Sequence, residues 1–154
     1  IWINPFNQIQ KFEFMNTDAI LKGNVLHDIT QWGLRASIGA IFIVHSLKKF
    51  DPSWQEWLIS IGIPPEMQLP IALAELIGGI LLVVGVLTRV TGAVFAAILL
   101  GAIFHIRWEN GFFVSKGGWE WDLVMLAVVL AIIAAGPGRI SISHIVRKIP
   151  RFLQ

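Results

Sequence analysis

Five ionisable side chains stand within or beside strongly apolar stretches of this sequence, and they are the residues best placed to do chemistry. They are His45, Glu75, His105, Glu120 and Asp122. Glu75 lies in LPIALAELIGGILLVVGVL, residues 69 to 87, where it is the only charged residue. A charge in hydrocarbon costs about 2.5 to 3.5 kcal/mol on insertion scales, so such a group usually faces other helices and has a partner. We expect Glu75 to pair with His45 or His105, as an ion pair or as a protonated acid.

Several kinds of chemistry are open to this polar set. It could be a structural clamp that fixes helix register, or a pocket for a polar headgroup such as a quinone ring, or a proton relay. Two histidines and a carboxylate also resemble a metal-ligand set, but they come from three separate stretches without a local motif such as HExxH, and no metal is predicted. A lone histidine could ligate haem or chlorophyll. Neither Ser46 nor Ser115 lies in a Gly-x-Ser-x-Gly elbow, which disfavours serine hydrolysis.

The composition indicates a lipid environment. Apolar residues make up 55% of the 154 residues and charged residues 14%, and the mean hydropathy is +0.70. A water-soluble domain of this size needs more polar cover than that. The chain has no cysteine, which excludes disulfides, thiolate nucleophiles and iron–sulfur ligation. A formal net charge of +2 without a basic stripe predicts no nucleic-acid partner.

Four stretches are long and apolar enough, or nearly so, to cross a membrane as helices. They cover residues 32–47, 69–87, 90–106 and 121–135. Thr88-Arg89 separates the second and third stretches, which predicts a tight hairpin. Gly136-Pro137-Gly138 follows the fourth and should end it, since proline cannot continue a helix. The sequence therefore predicts an all-α, integral membrane four-helix bundle.

Helical rise places the ionisable groups at one level. At 1.5 Å per residue, Glu75 lies about 9 Å inside the outer end of its span, and His45 and His105 lie about 20 Å from the inner ends of theirs. Glu120 and Asp122 stand at the outer end of the fourth span. Two further polar residues belong to the inner side: Arg35 in the first span and Arg89 in the turn.

The flanking charges predict an orientation. Lys and Arg are more numerous on the side that holds both chain ends and Arg89, so we expect a multi-pass protein of the cell membrane with both termini cytoplasmic. Residues 1–31 are predicted to be an interfacial or docking arm, residues 32–138 the membrane domain, and residues 139–154 a basic amphipathic tail on the inner leaflet. A belt of tryptophans should mark the outer interface: Trp54, Trp57, Trp108, Trp119 and Trp121.

Small residues at four-residue spacing predict close contacts between helices. The pairs are Ala36 and Ala40, Gly92 and Ala96, and Ala97 and Gly101.

Three segments together resemble one family. They are GLRASIGAIFIVHSLKKF (33–50), AELIGGILLVVGVLTRVTG (74–92) and NGFFVSKGGWEWDLVMLAVVLAIIAAGPGRISIS (110–143). This set resembles the DoxX family of small four-helix membrane proteins, which is related to the DoxD subunit of thiosulfate:quinone oxidoreductases. Two departures occur: Ser46 stands where the family usually has glycine, and Ser143 where it usually has aspartate. The family pattern is matched by Arg35, His45, Lys48 or Lys49, Glu75, Gly78-Gly79, Thr88-Arg89, Gly111-Phe112-Phe113, Gly117-Gly118-Trp119-Glu120 and Gly136-Pro137-Gly138.

The resemblance implies a membrane protein of respiratory or sulfur redox chemistry, often one subunit of a larger complex. We therefore expect an accessory subunit of a membrane oxidoreductase, with a structural or assembly role, that is not catalytic alone. The alternative is a quinone-linked oxidoreductase subunit whose pocket is formed by His45, Glu75, His105 and Glu120. A quinone is the one cofactor that the resemblance suggests. The expected partners are the lipid bilayer and the subunits of a larger membrane complex.

Overall fold

The computed structural model describes residues 24–145 and Leu153, and this part of the chain is helical, without strands. A π-helical segment, Ala102–Arg107, directly continues the fourth α-helix, and short 3₁₀ turns occupy Pro65–Met67, Trp108–Asn110 and Val114–Lys116. The α-helices are α1 Val25–Lys48, α2 Ser53–Ser60, α3 Gln68–Val84, α4 Thr88–Gly101, α5 Glu120–Ala135 and α6 Ile142–Ile145.

The helix ends follow from local chemistry. Asn24 caps α1, because its side-chain oxygen accepts a hydrogen bond of 3.1 Å from the N–H of Leu26. Gly85 ends α3 in the left-handed conformation (φ +74°), and Leu87 also has a positive φ of 51°. The turn between α3 and α4 is therefore 85–87. Thr88-Arg89, predicted to be the turn itself, instead forms the start of α4, and Arg89 is half-buried there.

The other predicted boundaries can also be compared with the structure. α1 begins at Val25, seven residues before the predicted start of the first span, so 25–31 of the predicted arm are helical. Residues 1–23 of that arm lie outside the described residues. α5 stops at Ala135 as predicted, and the N–H of Gly136 donates to the carbonyl of Ile132 at 2.9 Å. Of the predicted tail, residues 139–145, which include α6, and Leu153 are described, and residues 146–152 and Gln154 are not.

The four longest helices pack in a ring, with α1 against α3, α3 against α4, α4 against α5 and α5 against α1. The rings of Phe42 and Phe95 stack at the centre, with centroids 3.7 Å apart and planes at 10°. The same buried cluster includes Ile38, Leu82, Leu99, Val129 and Ile132. These side chains come from all four helices, so one apolar core joins them.

Two glycines let α1 and α3 approach closely. A Cβ on Gly39 would lie 2.6 Å from the carbonyl oxygen of Gly79, and a Cβ on Gly79 would lie 2.8 Å from the carbonyl oxygen of Gly39. This reciprocal contact was not among the predicted pairs: Ala40 is exposed. A Cβ on Gly101 would meet nothing within 4 Å.

Arg35 joins α1 to two other segments near the end of the molecule that holds the start of α1, here called the inner end. The side chain is fully buried, and its guanidinium donates to the carbonyl of Leu82 at 3.2 Å and to the carbonyl of Ile140. The last carbonyls of a helix have no partner within it, so the cation satisfies one at the end of α3. Nearby, Arg139 forms an ion pair of 2.9 Å with Asp28. The start of α1 and the segment after α5 thus lie at the same end of the molecule.

Two of the described helical segments are long and apolar enough to cross a membrane: Pro65–Val84 and Thr88–Asn110. All four long helices also expose large apolar side chains. Examples are Val44 on α1, Ile77 on α3, Leu100 on α4 and Leu130 on α5.

The glycine contact yields a stability prediction. Gly39→Ala places a methyl group against backbone that cannot rotate away, so we expect it to lower the stability of the detergent-solubilised protein by about 1–3 kcal/mol. The matched control is Gly33→Ala in the same helix, where a Cβ meets nothing within 4 Å. There alanine should be neutral or stabilising, by up to about 1 kcal/mol. Thermal unfolding measures both, and a Gly39→Ala protein as stable as Gly33→Ala would contradict the contact.

Candidate functional site

A cavity of about 870 Å³ lies in the half of the molecule that holds the end of α1 and the start of α5, here called the outer half. All four long helices contribute to its wall, and α2 lies across it. Most of the lining is aliphatic or aromatic, including Phe42 and Met125. Its polar lining consists of His45, Lys49, Glu75, His105, Arg107 and Asp122. An apolar cavity with a few convergent polar groups is the usual form of a small-molecule site.

Glu75 forms an ion pair with Lys49. The Lys49 ammonium contacts Oε1 of Glu75, whose side chain is only 2% exposed, and lies 5.3 Å from the centre of the Trp54 ring. Glu75 is therefore paired with a lysine, and the prediction that His45 or His105 would be its partner was wrong. A cation directly beyond the end of α1 satisfies the carboxylate because the chain turns back over α3 at that point.

A polar connection between two helix ends holds Lys49 in place. The backbone N–H of Lys49 donates to the carbonyl of Ser46 at 2.9 Å and closes the last turn of α1. The side-chain amide of Gln68, the first residue of α3, donates to the carbonyls of Lys49 and Asp51, each at 2.8 Å. Because Gln68 and Glu75 belong to the same helix, the register of α3 sets the position of Lys49 relative to the carboxylate.

Helix α2 covers the cavity and was not expected from the sequence. Its side chains Trp54, Trp57 and Leu58 line the wall, and Leu58 is completely buried. Asp51 precedes the helix and accepts hydrogen bonds from the hydroxyl of Ser53 (2.6 Å) and from its N–H (2.9 Å), which lower the pKa of Asp51. Three of the predicted interfacial tryptophans therefore line the cavity, namely Trp54, Trp57 and Trp121 of α5.

The π-helical segment Ala102–Arg107 brings two basic side chains to the wall. In an α-helix, side chains five residues apart point to different faces, whereas i→i+5 hydrogen bonding brings them towards one face. Ala102 and Arg107 accordingly both line the cavity, together with His105. The Nε2 of His105 lies 2.9 Å from the carbonyl oxygen of Ile61. Since a carbonyl can only accept, Nε2 carries the proton, and His105 fastens the end of α2 to this segment.

Arg107 and Asp122 form a second ion pair, with 3.3 Å between Nε and Oδ2. The Asp122 side chain is almost completely buried, and His45 on α1 also acts on its carboxylate electrostatically. The cavity wall thus has two cation–carboxylate pairs. One joins α1 to α3, and the other joins the π-helical segment to α5.

The structure brings together four of the five predicted site residues, namely His45, Glu75, His105 and Asp122. Glu120 does not line the cavity. Its Oε2 accepts a hydrogen bond of 3.0 Å from the N–H of Val114. Lys49 and Arg107 were missed as site residues, although Lys49 matched the family pattern and both lie at the outer ends of predicted spans.

The loop 111–120 has a compact fold that explains its glycines and Glu120. The N–H of Glu120 donates to the carbonyl of Phe112 at 3.0 Å, and the N–H of Trp119 donates to that of Gly111 at 3.3 Å. A Cβ on Gly118 would collide with the backbone of Gly111 and Phe112. Glu120 therefore shapes the loop before α5.

Within residues 24–145, no three or more His, Cys, Asp or Glu side chains are arranged to hold a metal ion.

The described residues are all helical in class and enclose an apolar cavity with polar side chains in its wall. The DoxX family profile matches residues 31–108, which include His45, Glu75, His105 and Arg107. This chain belongs to the DoxX family. The family is membrane-associated, so a lipid bilayer is the environment of the exposed apolar surface.

Two relatives illustrate the range of similarity. The "Putative oxidoreductase CatD" of Bacillus subtilis is 35% identical over 117 residues, which is 75% of this chain and 85% of that protein. An uncharacterized protein of Haemophilus influenzae is 28% identical over 88 residues, 56% of this chain and 58% of that protein. No solved structure matches the chain.

The buried ion pair yields a second prediction. Lys49→Met leaves the Glu75 carboxylate buried without its cation, so we expect a loss of stability of about 3–5 kcal/mol. Adding Glu75→Gln should restore most of the loss, because the buried charge is then gone. The matched control is Lys48→Met, which removes an exposed lysine next in sequence. Thermal unfolding of the four proteins in one detergent measures this, and equal losses at the two lysines would contradict the pairing.

Proposed function

We propose that α1, α3, α4 with its π-helical extension, and α5 all cross the membrane, with both chain ends on the cytoplasmic side. The exposed apolar faces of all four helices support this, as does their length. Even α5, with 16 residues, spans about 24 Å. The Arg139–Asp28 pair supports a common side for the two ends. The basic side chains near that end support its cytoplasmic placement.

Single cysteines test this topology, since the chain has none of its own. Ser115→Cys lies in the exposed outer loop, and His144→Cys lies on exposed α6. A membrane-impermeant maleimide should label Ser115→Cys in intact cells, whereas His144→Cys should react only after the membrane is permeabilised. Labelling in the reverse order would invert the orientation, and labelling of both in intact cells would rule out the four-crossing topology.

We propose that the outer cavity binds the ring of a quinone-type redox carrier, and that the chain is the carrier-binding component of a membrane oxidoreductase. The observation that carries this proposal is the cavity itself: an apolar volume of about 870 Å³ with two cation–carboxylate pairs in its wall. A quinone has an apolar ring and tail with polar oxygens at opposite edges. The lining offers both kinds of surface.

Each group in the wall has a role in such a complex. The Lys49 ammonium and the Arg107 guanidinium are donors that can hold a ring oxygen. The indoles of Trp54 and Trp57 offer flat apolar faces to the ring. Conversion of a quinone to a quinol takes up two electrons and two protons, one at each oxygen. His45 lines the cavity and interacts electrostatically with Asp122, and an imidazole can bind and release a proton, which suits it to supply protons.

We further propose that the electrons come from a cofactor-bearing partner protein, so that this chain works as an accessory subunit. The absence of cysteine supports this, because the chain cannot hold an iron–sulfur cluster by thiolates. Mass spectrometry of the proteins that co-purify from native membranes in mild detergent tests it. Stoichiometric recovery of a redox subunit is the expected result, and recovery of this chain alone contradicts the accessory role.

A purely structural role for the polar groups is the second candidate. It is favoured by the same ion pairs, which join neighbouring helices whether or not the cavity is occupied. A substitution that fills the cavity without altering either ion pair distinguishes quinone binding from a purely structural role.

Gly101 allows that experiment, because it lines the cavity and a Cβ there meets nothing within 4 Å. Gly101→Leu should weaken binding of a short-chain ubiquinone at least about tenfold, since a new side chain occupies the ligand's space, while the unfolding temperature stays near that of the wild type. The matched control is Gly33→Leu, also in open space but away from the cavity. Quenching of tryptophan fluorescence reports binding. Unchanged affinity in Gly101→Leu would remove the ligand from this cavity.

A further inference from the structure

The four long helices are fastened as two pairs in the outer half of the molecule. Lys49 and Glu75 join α1 to α3, and Arg107 and Asp122 join the π-helical segment after α4 to α5. The cavity lies between these two pairs, because its wall takes side chains from both of them. Such a space can open in two ways, towards the aqueous side through α2 or sideways between neighbouring helices.

Helix α2 closes the cavity on the aqueous side. Leu58 of this helix is completely buried. Before the helix, the side-chain amide of Gln68 donates to the carbonyl of Asp51 at 2.8 Å. After it, His105 donates to the carbonyl of Ile61 at 2.9 Å. Because α2 is held by a buried apolar side chain and by hydrogen bonds at both ends, we do not expect a ligand to enter from that side.

The side between α1 and α5 is open. Ile41 of α1 and Trp121 of α5 both line the cavity, yet they are 37% and 58% exposed. Among the other wall residues of these two helices, His45 is exposed and Met125 is half-buried. A side chain that belongs both to the cavity wall and to the outer surface marks a place where the two meet. These four residues therefore border an opening, which we call the side opening.

The side between α3 and α4 is less open. Its apolar wall residues Ile71 and Ile98 are half-buried. Gly101 and His105 are also exposed, but the hydrogen bond of His105 to Ile61 connects the π-helical segment to the end of α2. The side opening between α1 and α5 is therefore the freer of the two lateral routes.

The side opening lies at the depth of the hydrocarbon in the proposed topology. Ile41 precedes Lys48, the last residue of α1, by seven residues, which places it about 10 Å inside the end of that helix. Trp121 is the second residue of α5 and lies closer to the interface. A hydrated solute would lose its contacts with water on passing through an opening at this depth, which is costly, whereas an apolar chain from the bilayer has none to lose. The side opening therefore suits an apolar chain.

The volume of the cavity supports the same kind of ligand. A volume of about 870 Å³ is typical of a site that encloses a drug-sized molecule. A redox ring with a tail of many isoprene units is larger than that, so its tail must extend beyond the cavity. The side opening gives such a tail a way into lipid.

We propose that the ligand of the cavity is a long-tailed, membrane-resident prenyl quinone that enters from the bilayer through the side opening. Its ring lies among the polar wall groups, and its tail passes between Ile41 and Trp121 into lipid. This inference rests on the proposed function and names the substrate class and its route. Water-soluble quinones bind more weakly, because they have no tail to occupy the side opening.

Blocking the side opening tests the route. Ile41→Trp places an indole at its edge, and the measurement is equilibrium binding of radiolabelled ligands to the protein in lipid nanodiscs. The probes are a ubiquinone with a tail of many isoprene units and the same ring without a tail. We expect the affinity for the tailed carrier to fall at least about tenfold, because the indole and the tail compete for one space. The affinity for the tailless ring should stay within about threefold, since the ring site is unchanged.

The matched control is Val44→Trp, which adds the same bulk to an exposed residue of α1 that does not line the cavity. It should leave both affinities unchanged. If Ile41→Trp fails to fold, Ile41→Phe takes its place, with a smaller loss expected for the tailed carrier alone.

A second measurement needs no substitution. A quinone that carries a diazirine on its tail, beyond the first isoprene unit, should form adducts with the wild-type protein at Ile41, Trp121 or Met125. Adducts at Ile71 or Ile98 would place the tail between α3 and α4, and adducts confined to α2 would place it on the aqueous side. Either result overturns the route.

The outcomes of the binding experiment are distinguishable. An unchanged affinity of Ile41→Trp for the tailed carrier overturns the route, assigns the side opening to lipid acyl chains, and leaves the proposed function intact. Equal losses for the tailed and tailless ligands also overturn the route, because the indole then acts on the ring site. Failure of both ligands to bind the wild-type protein overturns the proposed function together with the route.

Discussion

A carboxylate inside an apolar helix needs a cation, and the outer half of this molecule depends on how that need is met. Glu75 lies within α3, and its cation is Lys49, just beyond the end of α1. The pairing requires α1 to end at the level of the carboxylate and its last turn to be fixed to the start of α3 by Gln68. It also requires the two helices to approach closely, which Gly39 and Gly79 permit. Backbone contact and buried charge therefore select the same register.

The inner and outer halves of the helix ring differ in how they are filled. The stacked rings of Phe42 and Phe95 fill the centre of the core, and towards the inner end Arg35 joins α1 to the end of α3 and to Ile140. In the outer half, charged side chains occupy positions where apolar groups would otherwise pack, and a cavity remains among them. Helix α2 and the π-helical segment border that space, and His105 connects the two. The fold thus combines a packed apolar core with a chamber in its outer half.

The sequence predicted the helical class and the family, because long apolar stretches and the glycine and proline residues that end them are local signals. The end of α5 is an example, because Gly136-Pro137-Gly138 ends the helix through the local conformation of these residues. It also predicted from helical rise a single layer of His45, Glu75, His105, Glu120 and Asp122, and all of these except Glu120 line the cavity. Which residue pairs with Glu75 was not predictable in this way. That depends on a turn of the chain after α1 and on the rotation of α3 about its axis. Neither of these can be deduced from the periodicity of apolar residues in the sequence.

Other features were missed for related reasons. The eight residues of α2 are too few to show a clear helical pattern, so the sequence predicts only an aromatic belt there and not a helix. The widened turn at Ala102–Arg107 changes which side chains share a face, and hydropathy does not reveal it. The close helix contact lies at Gly39 and Gly79, although Ala36 and Ala40 have the more familiar four-residue spacing. Tertiary packing, and not local spacing, determines which of these small residues form the close helix contact.

The central claim is that a quinone-type ring occupies the chamber between the outer ends of the helices. Photo-crosslinking with a diazirine-bearing quinone analogue, followed by peptide mass spectrometry, tests it most directly. The account predicts adducts on residues that face the chamber, such as Trp54, Trp57 and Met125, and their loss when excess unlabelled carrier competes. Adducts confined to outward-facing neighbours such as Val124 and Leu130 would place the ligand in the lipid and contradict the account.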